Sequence, residues 1–243
     1  MGNPYFRFKQ FTIFHDRSAM KVTTDACLFG AWIAETLSTR QTKTNDNRFL
    51  DIGCGTGLLS LMVAQKNNAV IDAIEIEPAA AGQARENIAA SLWKDQIKVI
   101  EADVLQWQSS RRYDCIFSNP PFYENDLRSV KAENNLAHHS ENLKLQPLLS
   151  YINQHLANDG TFFLLLPAKR ERETILLLQE EKLLMQQKVL VQQTLEHPPF
   201  RVMIQGCRIK TEECREYNMS VKDGSGEYTA AFVALLKEYY LYL

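Results

Sequence analysis

The stretch from Phe49 to Gln65 constrains this chain more than any other. A short apolar run, Phe49–Ile52, passes through Gly53-Cys54-Gly55-Thr56-Gly57 directly into the helix-forming segment Leu58–Gln65. Glycines at a strand-to-helix junction permit a tight turn and let a ligand approach the backbone closely. The alternation continues downstream. Strands are expected at Val70–Ile76, Ile97–Ala102, Asp114–Ser118 and Thr161–Leu166. Helices are expected at Pro78–Ser91, opened by proline at its first turn, at Gln146–Ala157 and near Lys169–Glu181. Short buried strands alternating with helices form βαβ units, hence an α/β fold with a mostly parallel sheet covered on both faces. The last third changes character. Leu184–Gln192, Val202–Lys210 and Tyr217–Val221 read as strands, and Tyr228–Tyr240 as an amphipathic helix.

Ahead of this core, Tyr5–Phe14 is rich in aromatic and β-branched residues, and Met20–Val22 follows a polar break at His15–Ala19. A short β-hairpin or an extended arm is expected there. Thr24 or Asp25 can cap a helix running to about Leu37, and the polar stretch Ser38–Asn47 is a loop. The 243 residues fit one large domain, or one domain with a small appendage. The division expected is an N-terminal arm over residues 1–24 and a second domain over residues 25–243.

The glycine loop carries the first chemistry. Its spacing departs from the dinucleotide fingerprint, because Leu58 stands where a glycine is needed, and it lacks the Gly-Lys-Ser/Thr ending of a phosphate-cradling loop. Glu75, at the end of the next strand, can accept hydrogen bonds from both hydroxyls of a ribose. Glu77 competes for that role, but it directly precedes Pro78 and falls beyond the strand. Asp103, just past the third strand, stands where a carboxylate can receive a hydrogen bond from an adenine amino group. Glycines, Glu and Asp at three successive strand ends suggest one nucleoside lying across the carboxyl edge of the sheet.

The fourth strand ends in Asn119-Pro120-Pro121-Phe122. An exocyclic or amide nitrogen is a poor nucleophile, because its lone pair is delocalised. The Asn119 side-chain oxygen and the Pro120 carbonyl can accept its two N–H bonds, with proline rigidity aiming the carbonyl. That geometry favours a pyramidal nitrogen whose lone pair points at an incoming group, so catalysis is orientation plus electrostatics. Phe122 and Tyr123 are placed to stack on a planar base drawn out of its neighbours. The chain holds a control in His197-Pro198-Pro199-Phe200, which lacks the asparagine and reads as a plain loop.

With an acid-led glycine loop and acids after the second and third strands, the chain resembles the class I S-adenosylmethionine-dependent methyltransferases. The resemblance implies a Rossmann-like sheet, mostly parallel with an antiparallel last strand, and S-adenosylmethionine as cofactor. Asn-Pro-Pro-aromatic resembles motifs acting on adenine, on guanine N2 in ribosomal RNA, or on a glutamine amide of a protein. The motif alone does not separate these. A non-catalytic module that only binds the cofactor is a further alternative, which the intact Asn119-Pro120-Pro121 disfavours.

Phe8-Lys9-Gln10-Phe11, the run His15–Asp25, Gly30-Ala31-Trp32 and Leu105-Gln106-Trp107 resemble the bacterial tRNA1(Val) adenine-N6-methyltransferases over almost the whole chain. That family modifies the adenine next to the valine tRNA anticodon. The resemblance implies cofactor contacts from Lys21, Thr23, Thr24, Asp25, Asp51, Gly53, Gly55, Gly57, Glu75, Ile76, Asp103, Val104 and Asn119. It implies catalytic roles for Asn119, Pro120, Pro121 and Phe122. Phe122 departs from the frequent tyrosine of the family, which keeps stacking and loses a hydroxyl contact.

Charge bears on that expectation. The net charge of −2 argues against a protein whose bulk charge coats nucleic acid. Residues 1–24, however, carry +3, from Arg7, Lys9, Arg17 and Lys21 against Asp16. Lys9, Arg17 and Arg201, with Phe122 and Tyr123, are the expected tRNA contacts, against the alternative of a half-buried arm with solvated charges. Five cysteines without a CxxC pair suggest a reduced, cytoplasmic setting with no disulfide framework. His138 and His139 lack an acid or cysteine at ligand spacing, so no metal is expected. No apolar run has the length of a membrane helix, so no membrane partner is expected. A monomer is the expected state.

Overall fold

A computed structural model describes residues 3–18, 20–39, 47–109, 111–121, 144–209 and 213–243. A two-stranded hairpin, β1 (Tyr5–Arg7) and β2 (Thr12–Phe14), precedes helix α1 (Thr24–Ser38). The alternating core follows as β3 (Arg48–Ile52), α2 (Leu58–Ala64), β4 (Val70–Glu75), α3 (Pro78–Ala89), β5 (Ile97–Glu101) and β6 (Tyr113–Ser118). It continues through α4 (Leu145–His155), β7 (Leu156–Pro167), α5 (Glu171–Glu180), β8 (Leu184–Gln192), β9 (Arg201–Cys207), β10 (Arg215–Ser220) and α6 (Ala230–Leu236).

Among the described residues, eight strands form one sheet in the order β10-β8-β9-β7-β6-β3-β4-β5. Its class is the expected one, with one refinement. The antiparallel strand is β9, which inserts between β7 and β8 and pairs antiparallel with both. The chain then adds β10, parallel to β8. The physical reason is connectivity. The segment 193–200 returns β9 beside its predecessor without a crossover helix, and such a return reverses strand direction.

The helices cover both faces, as strands buried on both sides require. One core gathers α1, α2, α6 and the hairpin over the sheet, and the other lies under α4 and α5. Trp32 of α1 meets Phe163 of β7 edge-on, with ring centroids 5.3 Å apart and an interplanar angle of 89°. Such pairs contribute about 0.5–1.5 kcal/mol beyond their buried area.

Three local expectations change. The hairpin closes within Tyr5–Phe14, with Tyr5 opposite Phe14 and the turn bonded from Phe8 N to Phe11 O at 2.8 Å. Met20–Val22 is therefore not its second strand. Phe8, Phe11 and Ile13 are buried in the main core, and Lys9 N bonds Tyr239 O at 2.8 Å. Helix α1 is flanked by Thr23 in an extended conformation rather than by Thr24 or Asp25. Asp25 lies within the first turn, where the helix dipole favours an acid. The last helix starts later than expected, because the Thr229 hydroxyl accepts the Phe232 amide and caps α6 at Ala230.

Candidate active site

The carboxyl edge of β3, β4, β5 and β6 brings the expected groups together. Gly53, Gly55 and Gly57 take φ values of 71°, 54° and 82°, a region that costs other residues free energy. The Gly53 and Cys54 amides both donate to Ile74 O at 2.9 Å, and Gly57 N donates to Cys54 O at 2.8 Å. A Cβ added at Gly53 or Gly55 meets no atom within 4 Å, so that side of the loop is open to a ligand. At Gly57 it would come within 3.2 Å of Ile88 Cδ1, so this glycine also serves close packing of α3.

Glu75 is the last residue of β4 and is 9% exposed. One carboxylate oxygen accepts the Gly55 amide at 2.8 Å and the other accepts the Glu77 amide at 2.9 Å. Glu75 thus reaches the glycine loop, while Glu77 is exposed and flanks α3. A carboxylate offers about four lone-pair sites, so two backbone partners leave capacity for a ligand.

Asp51 is fully buried in β3. Its Oδ2 accepts the Ser60 hydroxyl at 2.7 Å, while Oδ1 is buried without a partner. Burial pushes its carboxyl up to about 7; the Ser60 bond opposes this and the Glu75 charge reinforces it. Burial, with the charges of Asp51 and Glu75, also holds the Cys54 thiol well above its ordinary value, which leaves it protonated.

Asp103 is half-buried beyond β5. Its carboxylate takes the Leu105 amide at 2.9 Å and the Gln106 side-chain amide at 3.1 Å. Of its neighbours in the expected set, Val104 is buried and Ile76 is 55% exposed. An open glycine loop, an orphaned buried carboxylate oxygen and acids on the two following strands fit a nucleoside cofactor with an amino-acid end.

Asn119 emerges beside this loop. Ser118 pairs with Ile52 in the parallel ladder, and its hydroxyl donates to Ile52 O at 2.8 Å. The strand ends leading to Gly53 and to Asn119 are therefore neighbours, about 4.8 Å apart. Asn119 is half-buried, Pro120 buried and Pro121 exposed. Phe122, Tyr123, His138 and His139 lie outside the described residues.

The basic side chains expected to face tRNA have partners within the chain. Lys9 Nζ bonds the carbonyls of Lys237 and Leu243, and Arg17 pairs with Glu86. Arg201, the first residue of β9, pairs with Asp25 at 2.7 Å. Arg7, Lys21, Thr23 and Thr24 are exposed. Sequence reasoning missed Ser60, Ser118 and Asn87, the buried polar groups that hold the loop and its neighbours. Ser60 had a weak signal, a small polar residue three past the last glycine on an apolar helix. Among the described residues no group of His, Cys, Asp or Glu could hold a metal ion, and no helix is long and apolar enough to cross a membrane.

Known proteins align with this geometry. The methyltransferase small domain family matches residues 30–181. The chain is 37% identical over 245 residues to the tRNA1(Val) (adenine(37)-N6)-methyltransferase of Bacteroides thetaiotaomicron, covering 100% of both chains. It is 38% identical to the protein of the same name from Shewanella loihica, covering 98% of this chain and 99% of the other. Two solved structures share the fold. A predicted O-methyltransferase of Agrobacterium tumefaciens has a TM-score of 0.63 at 17% identity, over 88% of this chain and 96% of that one. A geranyl diphosphate C-methyltransferase of Streptomyces coelicolor, solved with S-adenosyl-L-homocysteine, has a TM-score of 0.52 at 12% identity, over 74% and 79%.

Proposed function

The chain belongs to the methyltransferase small domain family and, within it, to the tRNA1(Val) (adenine(37)-N6)-methyltransferases, and from that premise we propose that it methylates the 6-amino group of adenine 37 in a valine tRNA. The observation that carries the reading is the placement of Asn119-Pro120-Pro121 on the strand end adjoining the glycine loop. S-adenosylmethionine, the cofactor of the family, supplies an electrophilic methyl group on a sulfonium sulfur when bound.

The residues of the chain divide the work. The open side of the Gly53–Gly57 loop and the unpartnered Oδ1 of Asp51 bind the amino-acid end, with Lys21, Thr23, Thr24 and Asp25 close by. Glu75, flanked by Ile76, accepts from the ribose hydroxyls, and Asp103, beside Val104, accepts from the cofactor's adenine amino group. Asn119 Oδ1 and the Pro120 carbonyl accept the two N–H bonds of the target amine. Holding both hydrogens localises the nitrogen lone pair and aims it, with no covalent enzyme intermediate. Pro120 and Pro121 fix the direction of that carbonyl. Phe122 and Tyr123 stack on the extruded base. Lys9, Arg17 and Arg201 contact the tRNA backbone, with Arg7 and Lys21 beside them; Lys9 and Arg17 are exposed although bonded within the chain, and the Asp25 pair orients Arg201.

The same reading treats residues 1–24 as an arm and residues 25–243 as the methyltransferase domain, acting as a cytoplasmic monomer without a metal. The test is methyl transfer from labelled cofactor to total RNA and to total protein, followed by nucleoside analysis. Label in N6-methyladenosine of tRNA is expected. Label in protein, or in methylguanosine, overturns the substrate assignment, and binding without any transfer overturns the enzymatic reading.

A further inference from the structure

Asn87 is 2% exposed on α3 and spends its whole amide on two distant segments. Its Oδ1 accepts the Phe14 amide at 3.0 Å. Its Nδ2 donates to Phe14 O and to Thr56 O, both at 2.9 Å. Phe14 is the last residue of the hairpin, and Thr56 lies between the second and third glycines of the loop. One side chain therefore clamps the end of β2 as a further strand would, and holds the carbonyl of a glycine-loop residue.

Only an asparagine satisfies all three partners. Its amide has one acceptor oxygen and two donor hydrogens, and the site presents one N–H and two carbonyls. An aspartate of the same shape would set a carboxylate against two carbonyl oxygens. Neighbouring positions of α3 reinforce the same junction. Gln83, also 2% exposed, accepts the Arg17 amide at 3.3 Å, and Glu86 pairs with the Arg17 guanidinium. The segment held between these anchors and α1 carries Lys21 and Thr23, and leads into Thr24 at the start of α1.

We infer that Asn87 is a positioning residue that couples the N-terminal arm to the cofactor loop, so that filling the loop tightens the arm and docking the arm tightens the loop. Coupling of this kind is reciprocal in free energy. The buried bridge supplies a physical path, because two packed segments share one fully committed amide. The inference rests on the reading that the Asp51–Gly57 loop holds the cofactor.

Hydrogen exchange of the Phe14 and Arg17 amides, with and without saturating S-adenosylhomocysteine, tests it in the full chain. In the ligand-free wild type, both amides are expected to be protected. Cofactor product is expected to raise protection at Phe14 by about five- to tenfold, the scale of one net hydrogen bond. In Asn87→Asp, and in Asn87→Ala where it folds, that response is expected to vanish while the Kd for S-adenosylhomocysteine rises about five- to tenfold. A purely structural asparagine would lower protection throughout without removing the response to ligand, and that result overturns the coupling. Wild-type affinity and response in either variant overturns it as well. An unprotected Phe14 amide in the ligand-free wild type overturns the bridge itself. Ligand binding that protects no residue of 51–57 overturns the loop assignment instead, so the two failures are distinct.

Discussion

The two Pro-Pro-Phe segments of this chain share three residues and differ in what precedes them. Asn119-Pro120-Pro121 follows β6, a parallel strand flanked by β3 and β7. His197-Pro198-Pro199-Phe200 leads into β9, the strand that runs against the other seven. Both lie on one edge of the sheet, because Arg201 pairs in register with Pro167 at the end of β7 and with Val191 near the end of β8. That shared edge is decided by the pairing of β9 and not by the residues of the segment itself.

Their surroundings separate them. The first segment is anchored by Ser118 to Ile52, so its asparagine is held beside the glycine loop with Pro120 buried. In the second, His197 bonds the Thr194 hydroxyl at 2.7 Å, and Phe200 exchanges backbone bonds with Val191 and Ala168. Its polar groups are spent on closing a turn. On the proposed reading, the motif acquires its chemistry from the strand it terminates, while the second Pro-Pro-Phe on that edge is a connection.

The largest effect should come from removing the asparagine. Asn119→Ala is expected to lower methyl transfer by about 10²–10³-fold, the scale for one lost transition-state hydrogen-bonding group, with cofactor affinity within about twofold. Adding His197→Asn to that variant should restore nothing. Recovered activity in single-turnover assays would show that the two segments are interchangeable and would end the comparison.

Next comes Asp51, the buried acid behind the first segment. Its carboxyl is pushed up to about 7, so the folded chain keeps a proton that the unfolded chain releases near pH 4. This acid therefore costs stability increasingly as pH rises from about 4 to 7. Asp51→Asn keeps an acceptor for Ser60 and abolishes the titration. Relative to wild type, denaturant unfolding of the variant should gain about 2–4 kcal/mol between pH 4 and pH 8. A difference that is flat with pH would place the raised titration elsewhere.

Glu75→Ala is expected to weaken cofactor binding by about tenfold in calorimetry, through the lost ribose acceptor and the released Gly55 amide. Unchanged affinity would point to Glu77. The smallest effect belongs to the second segment. Pro198→Ala should leave transfer and cofactor affinity within about twofold and Tm within a few degrees, as exposed turn positions do. A larger loss of transfer would make the second segment part of the site.

Much of the fold was legible along the chain, because its signals are local. Glycines needing positive φ at 53, 55 and 57, proline opening α3 and short apolar runs between helices each report on their own neighbourhood. The α/β class, the acids at three strand ends and the Asn-Pro-Pro turn follow from such signals. The reversal at β9, the pairing of β10 with β8 and the start of the last helix do not. They depend on pairing across the sheet and on a cap at Thr229.

The charged residues mark the limit most clearly. Composition located +3 in residues 1–24, and that sign follows from the order of residues alone. Whether a charge is available to a partner depends on what folding brings beside it. Arg17 meets Glu86, Arg201 meets Asp25, and Lys9 meets the carbonyls of Lys237, just past α6, and of Leu243, each from a segment at least 69 positions away. Asn87 is the same lesson in a neutral side chain. Nothing at position 87 announces a bridge between Phe14 and Thr56, because a hydrogen bond depends on distance and angle in space, and residues far apart in order acquire these only when the core closes.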